Sequence, residues 1–592
     1  MTPNNTLTTD GEKARRIRRF FAWLLFAALC AGLRVWRLDT DAYRALSWDT
    51  GLFTDEGFYT HAARNVALFG HARTDDFNNA LLMPTLHFLQ VFVFRVFGYG
   101  IAQARLISVA FGLLTLPVFY AAMKRAFGAK SACYAVVFLG LEHANLLYSR
   151  MALMDTAAAF LLVCAFYAFT LAITNGGRRA AFRAAVCGLT LGLLYATRGL
   201  AAVAIPSPFI ALMIPLSAGR KKRISGAALT PGPSPKSGRE EQEHSPSFVR
   251  RGLGGGLLAG LLFALAVYVV VWYLPHHGEL ARVNRYHVRE QLLPQTAHQL
   301  ALNIWQAVKG TQFLGLLPYL ALHTPVLLIL AVSLFMPFRN KARLSDVEAR
   351  CIIYFAFWLL AFFGLFAFVN YAPSRYYVLF YPALCGLAGV AMRPNPPAPF
   401  PGNLLRRREG GALRTGAYRF HQTLTQRVNW RILPPPSLRR RSEQGKGAGG
   451  LGLCLAVWLI INLGWYADWT RHLATTQRDA SRTLARNLPP NSVLLGDCAP
   501  GLGIYNAFVT VNVMPKLCND NAPLERFAGR PRYVVILDGP SKATSEKWWS
   551  GHYPNVMRER NRVYLFDPLV SHPVGVYRVE AKDAVWRTGE SP

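Results

Sequence analysis

Charge is scarce in this chain: 16% of its 592 residues are Asp, Glu, Lys or Arg, against 52% hydrophobic residues. That balance excludes an ordinary soluble domain and points to a polytopic membrane protein with one soluble portion. Acidic residues are the scarcer sign, 32 against 65 basic, for a net charge of +33. The Lys and Arg excess falls mostly between apolar runs, the positive-inside pattern of membrane loops, so no nucleic-acid partner is expected. Cysteine is thinly spread, nine in all, seven of them in apolar runs where a thiol serves as a small hydrophobe. No His/Cys spacing resembles a preformed metal site, and no metal is predicted. Cys498 and Cys518, in the polar C-terminal part, can bridge only if that part lies outside the cytoplasm. Internal repeats, a frequent mark of transporters, are absent. The Gly-Leu-Gly at 501–503 lacks the third glycine of a dinucleotide fingerprint and reads as a turn. Asp497 and Asp538 read as turn residues too.

What the chain does have is a series of apolar runs. A basic segment at 13–19 precedes an apolar run at 20–38. That run has no small-residue cleavage site and is interrupted by Arg34 and Arg37, so it reads as an uncleaved anchor with residues 1–19 in the cytoplasm. Residues 39–102 form a first extracytoplasmic loop, too polar to span. It holds helix-like pieces at 56–69 and 81–97, the second suited to lie along the membrane surface. Spanning candidates follow at 103–123, 131–148, 153–173, 182–197, 199–216, 253–274, 311–338, 351–368, 376–392 and 450–466. With the anchor they make about eleven. The basic clusters Lys124-Arg125, Arg178-Arg179, 220–223 and 339–343 then all fall inside, and the odd count puts residues 467–592 outside. That C-terminal stretch alternates β-rich runs at 492–495 and 533–537 with helix-like segments, a small α/β or α+β domain. Two stretches, 226–256 and 393–449, are rich in Pro, Gly, Ser and Arg and read as low-complexity cytoplasmic inserts. The expected fold is therefore a mostly α polytopic bundle with a small extracytoplasmic domain.

Ionisable residues recur at one face of that topology. Asp55 and Glu56 lie in the first outer loop; Arg150 and Asp155 lie in the outer turn YSRMALMDTAAAF. Arg198, in YATRGL, and Arg375 with Tyr376, in NYAPSRYYVLFYPAL, occupy later outer turns, and His276 and His277 begin another outer loop. Charges at membrane depth are costly and usually mark a substrate path or an active site. Singly, each has a plainer reading: the acidic pair is a solvated turn, Arg150 or Arg375 snorkels to the interface, and Asp155 caps a helix. Together they suit group transfer. A carboxylate pair acts as general base on an incoming hydroxyl, while arginines hold a phosphate by charge-assisted bonds and stabilise it as it leaves.

Several segments resemble the GT-C superfamily of integral-membrane glycosyltransferases, specifically the protein O-mannosyltransferase and aminoarabinose-transferase group. They are DEGFYTHAAR at 55–64, Pro84 with His87, ARLISVAFGLLTLPVFY at 104–120, SRMALMDT at 149–156, GLTLGLLYATRGLAA at 188–202 and SRYYVLFYPAL at 374–384. The resemblance covers roughly residues 20–390 apart from the first insert. It implies a catalytic membrane domain over 20–392, with Asp55 as the base, Glu56 supporting it, and Asp155 orienting acceptor or base. Arg150, Arg198, Arg375 and Tyr376 make up the implied donor-phosphate set; Arg198 stands where the family often has lysine. The implied donor is a polyprenyl-phosphate sugar, displaced with inversion. The acceptor is a protein hydroxyl, lipid A or an envelope glycan, and the setting is the cell inner membrane. Members differ in the use of a divalent cation, for which Glu56 with His276 or His277 are the available ligands. The implied C-terminal domain modulates or faces the acceptor. The competing reading is a polytopic transporter or lipid flippase.

Overall fold

The computed structural model describes residues 6–46, 55–71, 81–215, 246–285, 293–309, 316–334, 344–370, 373–392, 448–513, 522–537, 542–566 and 573–584. Cys518, Asp538, the basic clusters at 220–223 and 339–343, residues 226–245 and residues 393–447 lie outside them.

The chain begins with α1 (Thr6–Val35), α2 (Asp55–Phe69), α3 (Pro84–Phe97), α4 (Ile101–Phe127), α5 (Ala129–Leu141), α6 (His143–Tyr148), α7 (Asp155–Ile173) and α8 (Gly177–Thr197). After a 3-10 turn at Gly199–Ala204 come α9 (Pro206–Met213), α10 (Pro246–Tyr268), α11 (His277–Asn284), α12 (Ala297–Lys309), α13 (Leu316–His323), α14 (Pro325–Ser333) and α15 (Asp346–Phe368). A second 3-10 turn, Ser374–Phe380, leads into α16 (Tyr381–Ala391), and α17 (Ala448–Arg471) closes the apolar part.

Among the described residues six helices are long and apolar enough to cross a membrane, seven if α13 and α14 count as one span bent by 105°. The expected number was about eleven, and the shortfall has a local cause. Proline has no N–H to donate and pushes the residue before it out of helical geometry. That holds at Pro325, where Thr324 leaves helical geometry at the bend between α13 and α14; Pro206 and Pro382 instead open α9 and α16 behind 3-10 turns, with the residue before each still helical. The candidate at 131–148 divides at Glu142, whose buried carboxylate accepts from Trp458 Nε1 of α17 at 2.6 Å. In α1 the uncharged run ends at Arg34, which is buried and donates to the carbonyls of Cys30 and Gly140, each at 3.1 Å.

The first insert needs a corrected boundary. Residues 246–256 belong to α10, where glycine is used for close packing rather than flexibility. A Cβ on Gly260 would come within 1.9 Å of the Ala185 carbonyl oxygen, and one on Gly256 within 2.5 Å of Ala181 O. From the other side, a Cβ on Gly188 would meet Leu257 O at 1.9 Å. Both helices carry a Gly-xxx-Gly spacing, 188/192 and 256/260, which lets backbones touch where lipid offers no hydrophobic drive. The bundle core lies among α4, α5, α7, α15 and α16, where Phe119, Phe138, Phe166, Phe355, Trp358 and Tyr381 are fully buried. In α3, by contrast, Phe88, Phe92, Val96 and Phe97 are exposed and form an apolar face that the rest of the protein leaves uncovered.

The C-terminal part contains α18 (Thr476–Asn487), β1 (Val493–Leu495), α19 (Ala499–Gly503), β2 (Val509–Val511), β3 (Arg532–Leu537), α20 (Lys542–His552), β4 (Arg562–Phe566) and β5 (Val574–Val579). The strands form one mixed sheet in the order β2-β1-β3-β5-β4, parallel across β2, β1 and β3 and antiparallel beyond. Successive residues point to opposite faces. Leu494, Val535 and Val576 enter one apolar cluster, and Leu495, Val534 and Ile536 enter the other, so the sheet is covered on both sides. Gly501 to Gly503 lies in the short helix α19 rather than a bare turn.

Candidate active site

Asp55 and Glu56 open α2, and about 100° of helical rotation separates their side chains. They meet different partners. Glu56 is fully buried and grips Arg105 of α4 bidentately, at 2.7 Å to Nε and 2.6 Å to Nη2. Its Oε1 also accepts the Ala152 N–H at 2.7 Å, and Arg105 Nη1 donates onward to the carbonyls of Leu38 and Thr40. Glu56 therefore ties α2 to α4, to the end of α1 and to the turn before α7.

Asp55 turns the other way and forms an ion pair with Arg375 in the Ser374–Phe380 turn. Asp155, the first residue of α7, pairs with Arg198, the residue after α8, at 3.2 Å. The two pairs share one aromatic ring. Arg198 lies over Tyr376 at 4.3 Å from its centroid, and Arg375 lies over it at 4.8 Å. Arg375 Nη2 also donates to the Tyr376 hydroxyl at 3.4 Å. Tyr59, one turn beyond Asp55, is buried beside them; burial and the Asp55 charge push its phenol upward, so it stays protonated.

Four residues far apart in sequence thus converge as two carboxylates and two guanidiniums, balanced in charge and nearly excluded from water. Burying such pairs carries a large desolvation cost unless each polar atom is satisfied. Here Asp155 Oδ2 and Arg198 Nη2 are buried with no hydrogen-bond partner among the described residues. An open acceptor and an open donor suit a polar ligand: the carboxylate oxygen can take a hydroxyl and the guanidinium nitrogen an oxygen.

Arg150 stands apart from this group. It donates to the carbonyls of Leu33, Arg34 and Arg37 and stacks over Trp469 at 4.5 Å, closing the end of α1. His276 is half-buried against Trp272, its Nδ1 facing the Trp272 carbonyl, and His277 is exposed. Among the described residues no three His, Cys, Asp or Glu side chains gather to hold a metal ion. His87 is buried on α3. Two partners that the pattern of outer-face charges does not single out are Tyr59 and Arg105, in the segments 55–64 and 104–120. The available signal for Arg105 was a lone arginine near the start of an otherwise uncharged span.

The site lies at one end of the bundle. Arg105 is near the start of α4, Asp155 begins α7 and Arg198 follows α8, whereas Lys124 and Arg125 end α4 and Arg178 and Arg179 begin α8. Arg125 Nε donates to Thr174 Oγ1 at 2.6 Å, so the basic ends lie together at the opposite end.

Residues 83–229 match the family model of dolichyl-phosphate-mannose-protein mannosyltransferases. No curated protein sequence matches the chain. Among solved structures, ArnT from Cupriavidus metallidurans in the apo state aligns with TM-score 0.55 and 18% identity, over 94% of this chain and 98% of that one. The same enzyme bound to undecaprenyl phosphate aligns with TM-score 0.54 over the same shares. The archaeal oligosaccharyltransferase AglB from Archaeoglobus fulgidus, in complex with an inhibitory peptide and a dolichol-phosphate, gives TM-score 0.49 and 13% identity, over 90% of this chain and 71% of that one. The ArnT likeness extends over nearly the whole of both chains and shows a common fold.

Proposed function

We propose that this chain is a membrane glycosyltransferase of the GT-C superfamily that uses a polyprenyl-phosphate sugar as donor and Asp55 as general base, a reading supported by the mannosyltransferase family match over 83–229 and the ArnT-like fold. The observation that carries the reading is the meeting of Asp55–Arg375 and Asp155–Arg198 around Tyr376. The donor phosphate binds Arg198 and Arg375, and in doing so competes with the carboxylates for the two guanidiniums. Asp55, released from Arg375, accepts the proton of the incoming hydroxyl. The acceptor oxygen forms its bond to the anomeric carbon while the bond from that carbon to the phosphate oxygen breaks. The electron pair leaves with polyprenyl phosphate, and the anomeric centre inverts. Asp155 orients the acceptor or the base, and Glu56, held by Arg105, fixes the helix that presents Asp55.

The acceptor is a protein hydroxyl, lipid A or an envelope glycan. In the proposed orientation the site faces away from the cytoplasm, with the C-terminal domain on the same side of the inner membrane. The separation of the site from the Lys124, Arg125, Arg178 and Arg179 end supports that orientation.

A transporter is the second reading. Its support is the pair of discontinuous helices that meet where His143 Nε2 contacts His323 Nδ1 at 3.0 Å. One assay separates the two. Membranes carrying wild-type protein or Asp55→Asn are given a panel of polyprenyl-phosphate sugars with each acceptor class. Transfer by the wild type that drops about a hundredfold or more in Asp55→Asn, at equal protein level, supports the base and names the sugar. Equal transfer by both removes Asp55 from the chemistry, and no transfer with any donor favours the transporter.

A further inference from the structure

Arg64 lies on α2 nine residues after Asp55, about 14 Å along the helix. Its guanidinium is fully buried, yet no carboxylate pairs with it among the described residues. Every acceptor it reaches is neutral, and most belong to the C-terminal domain. Nη1 donates to Thr510 Oγ1 at 3.3 Å and to Asn65 Oδ1 at 3.1 Å. Nη2 donates to the carbonyls of Asn506 and Phe508, the latter at 2.8 Å. Asn65 adds a bond from Nδ2 to the Thr510 carbonyl at 3.3 Å. Burial without a counter-charge lowers the Arg64 pKa to about 10, which marks how costly this placement is.

The seam around it is shaped to match. A Cβ on Gly503 would come within 2.2 Å of Thr510 Cγ2 and 3.6 Å of Arg64 Cζ. Ile504 packs in one small cluster with Ala63 of α2, Ala104 of α4 and Ala152. Ala152 is the residue whose N–H holds Glu56. The segment 503–510 of the soluble domain therefore touches both the far end of α2 and the back of the Glu56–Arg105 lock.

We infer that Arg64 is a positioning residue: it docks the C-terminal domain onto α2 and thereby holds Asp55 in register with Arg375. The polar contacts of the segment 468–478 engage residues before α2. Asp41 accepts from Thr476 and Gln477, Arg478 pairs with Asp39, and Tyr43 donates to Asp468. Arg64 and Asn65 reach α2 itself. The kinetic consequence rests on the transferase reading; the docking does not.

The test uses full-length protein in nanodiscs, as wild type, Arg64→Lys, Arg64→Gln, and Arg64→Gln carrying the pair Asn65→Cys and Thr510→Cys. Amide hydrogen exchange over residues 55–69 reads docking without reference to activity. Exchange speeds up by about tenfold in Arg64→Gln, less in Arg64→Lys, and returns to the wild-type rate when the cysteine pair is oxidised. For transfer, kcat falls about a hundredfold in Arg64→Gln while KM for the donor stays within about twofold, since misplacement by an ångström is enough. Oxidation restores kcat and reduction removes it again. Unchanged exchange in Arg64→Gln overturns the inference. So does faster exchange with unchanged kcat, or failure of the oxidised pair to restore kcat. Faster exchange, reversed by oxidation, in a protein that transfers no sugar upholds the docking and defeats the transferase reading instead.

Discussion

Asp55 and Glu56 are adjacent in sequence and opposite in what their surroundings allow. Asp55 pairs with Arg375 and keeps 13% of its side chain exposed. Glu56 is enclosed by Arg105 and the Ala152 N–H, with no oxygen left to approach a substrate. Substitution should separate them. Asp55→Asn is expected to lose transfer and to lower the melting temperature less than Glu56→Ala does, because the amide oxygen still accepts from Arg375, which nevertheless loses its counter-charge. Glu56→Ala strands a buried guanidinium and is expected to cost about 3–5 kcal/mol. Thermal unfolding in detergent checks this: a large fall for Glu56→Ala with a small one for Asp55→Asn is the expected order. The reverse order would make Asp55 the structural strut and overturn the reading of Glu56 as the buried lock. At this scale Asp55, Asp155, Arg198 and Arg375 stand out in the sequence as charges recurring at one face of the expected topology, and the family resemblance adds Tyr376. Arg150 met the same criterion and serves the end of α1, since sequence shows a charge at a helix end but not which groups face it.

At the scale of elements, the closest helix pair positions one of these arginines. Arg198 follows α8, and α8 is pressed against α10 through Gly188 and Gly192 on one side and Gly256 and Gly260 on the other. A side chain at Gly188 must displace the Leu257 backbone, not the flexible end of a neighbour. Gly188→Leu is expected to destabilise the protein by about 1–3 kcal/mol, the usual penalty of overpacking. Its melting temperature should fall, and transfer should fall with it as Arg198 shifts. Gly254→Leu on α10 is the control, since a Cβ there meets nothing within 4 Å. It should behave as wild type in both measurements. Composition places Gly256 at the end of a low-complexity insert and Gly260 in a spanning run; their shared packing role becomes visible only when α8 is laid against them.

For the molecule as a whole, the C-terminal part that carries the sheet is joined to the helical bundle by polar contacts at Asp39, Asp41, Arg64 and Asn65. A chain ended after Arg471 keeps Asp55, Asp155, Arg198, Arg375 and Tyr376 but loses every acceptor of Arg64 beyond Asn65. It is expected to insert into membranes and to lose transfer by about a hundredfold or more, as the helix bearing Asp55 loses its far support. Assay of membranes matched for protein level checks this. Activity near wild type would make the domain an accessory of the acceptor side.

The sequence by itself determined that this is a multi-spanning helical protein with a small α/β tail, because burial in lipid demands long apolar runs and a sheet demands alternation. It also determined which charges were out of place there. The number of unbroken spans was readable in part: Pro206, Pro325 and Pro382 were present, but a proline can kink a span or divide it. Tertiary structure decided which carboxylate met which arginine. Such pairing depends on the rotation of each helix and on contacts between residues up to several hundred positions apart, and one step along α2 turns a candidate base into a buried strut.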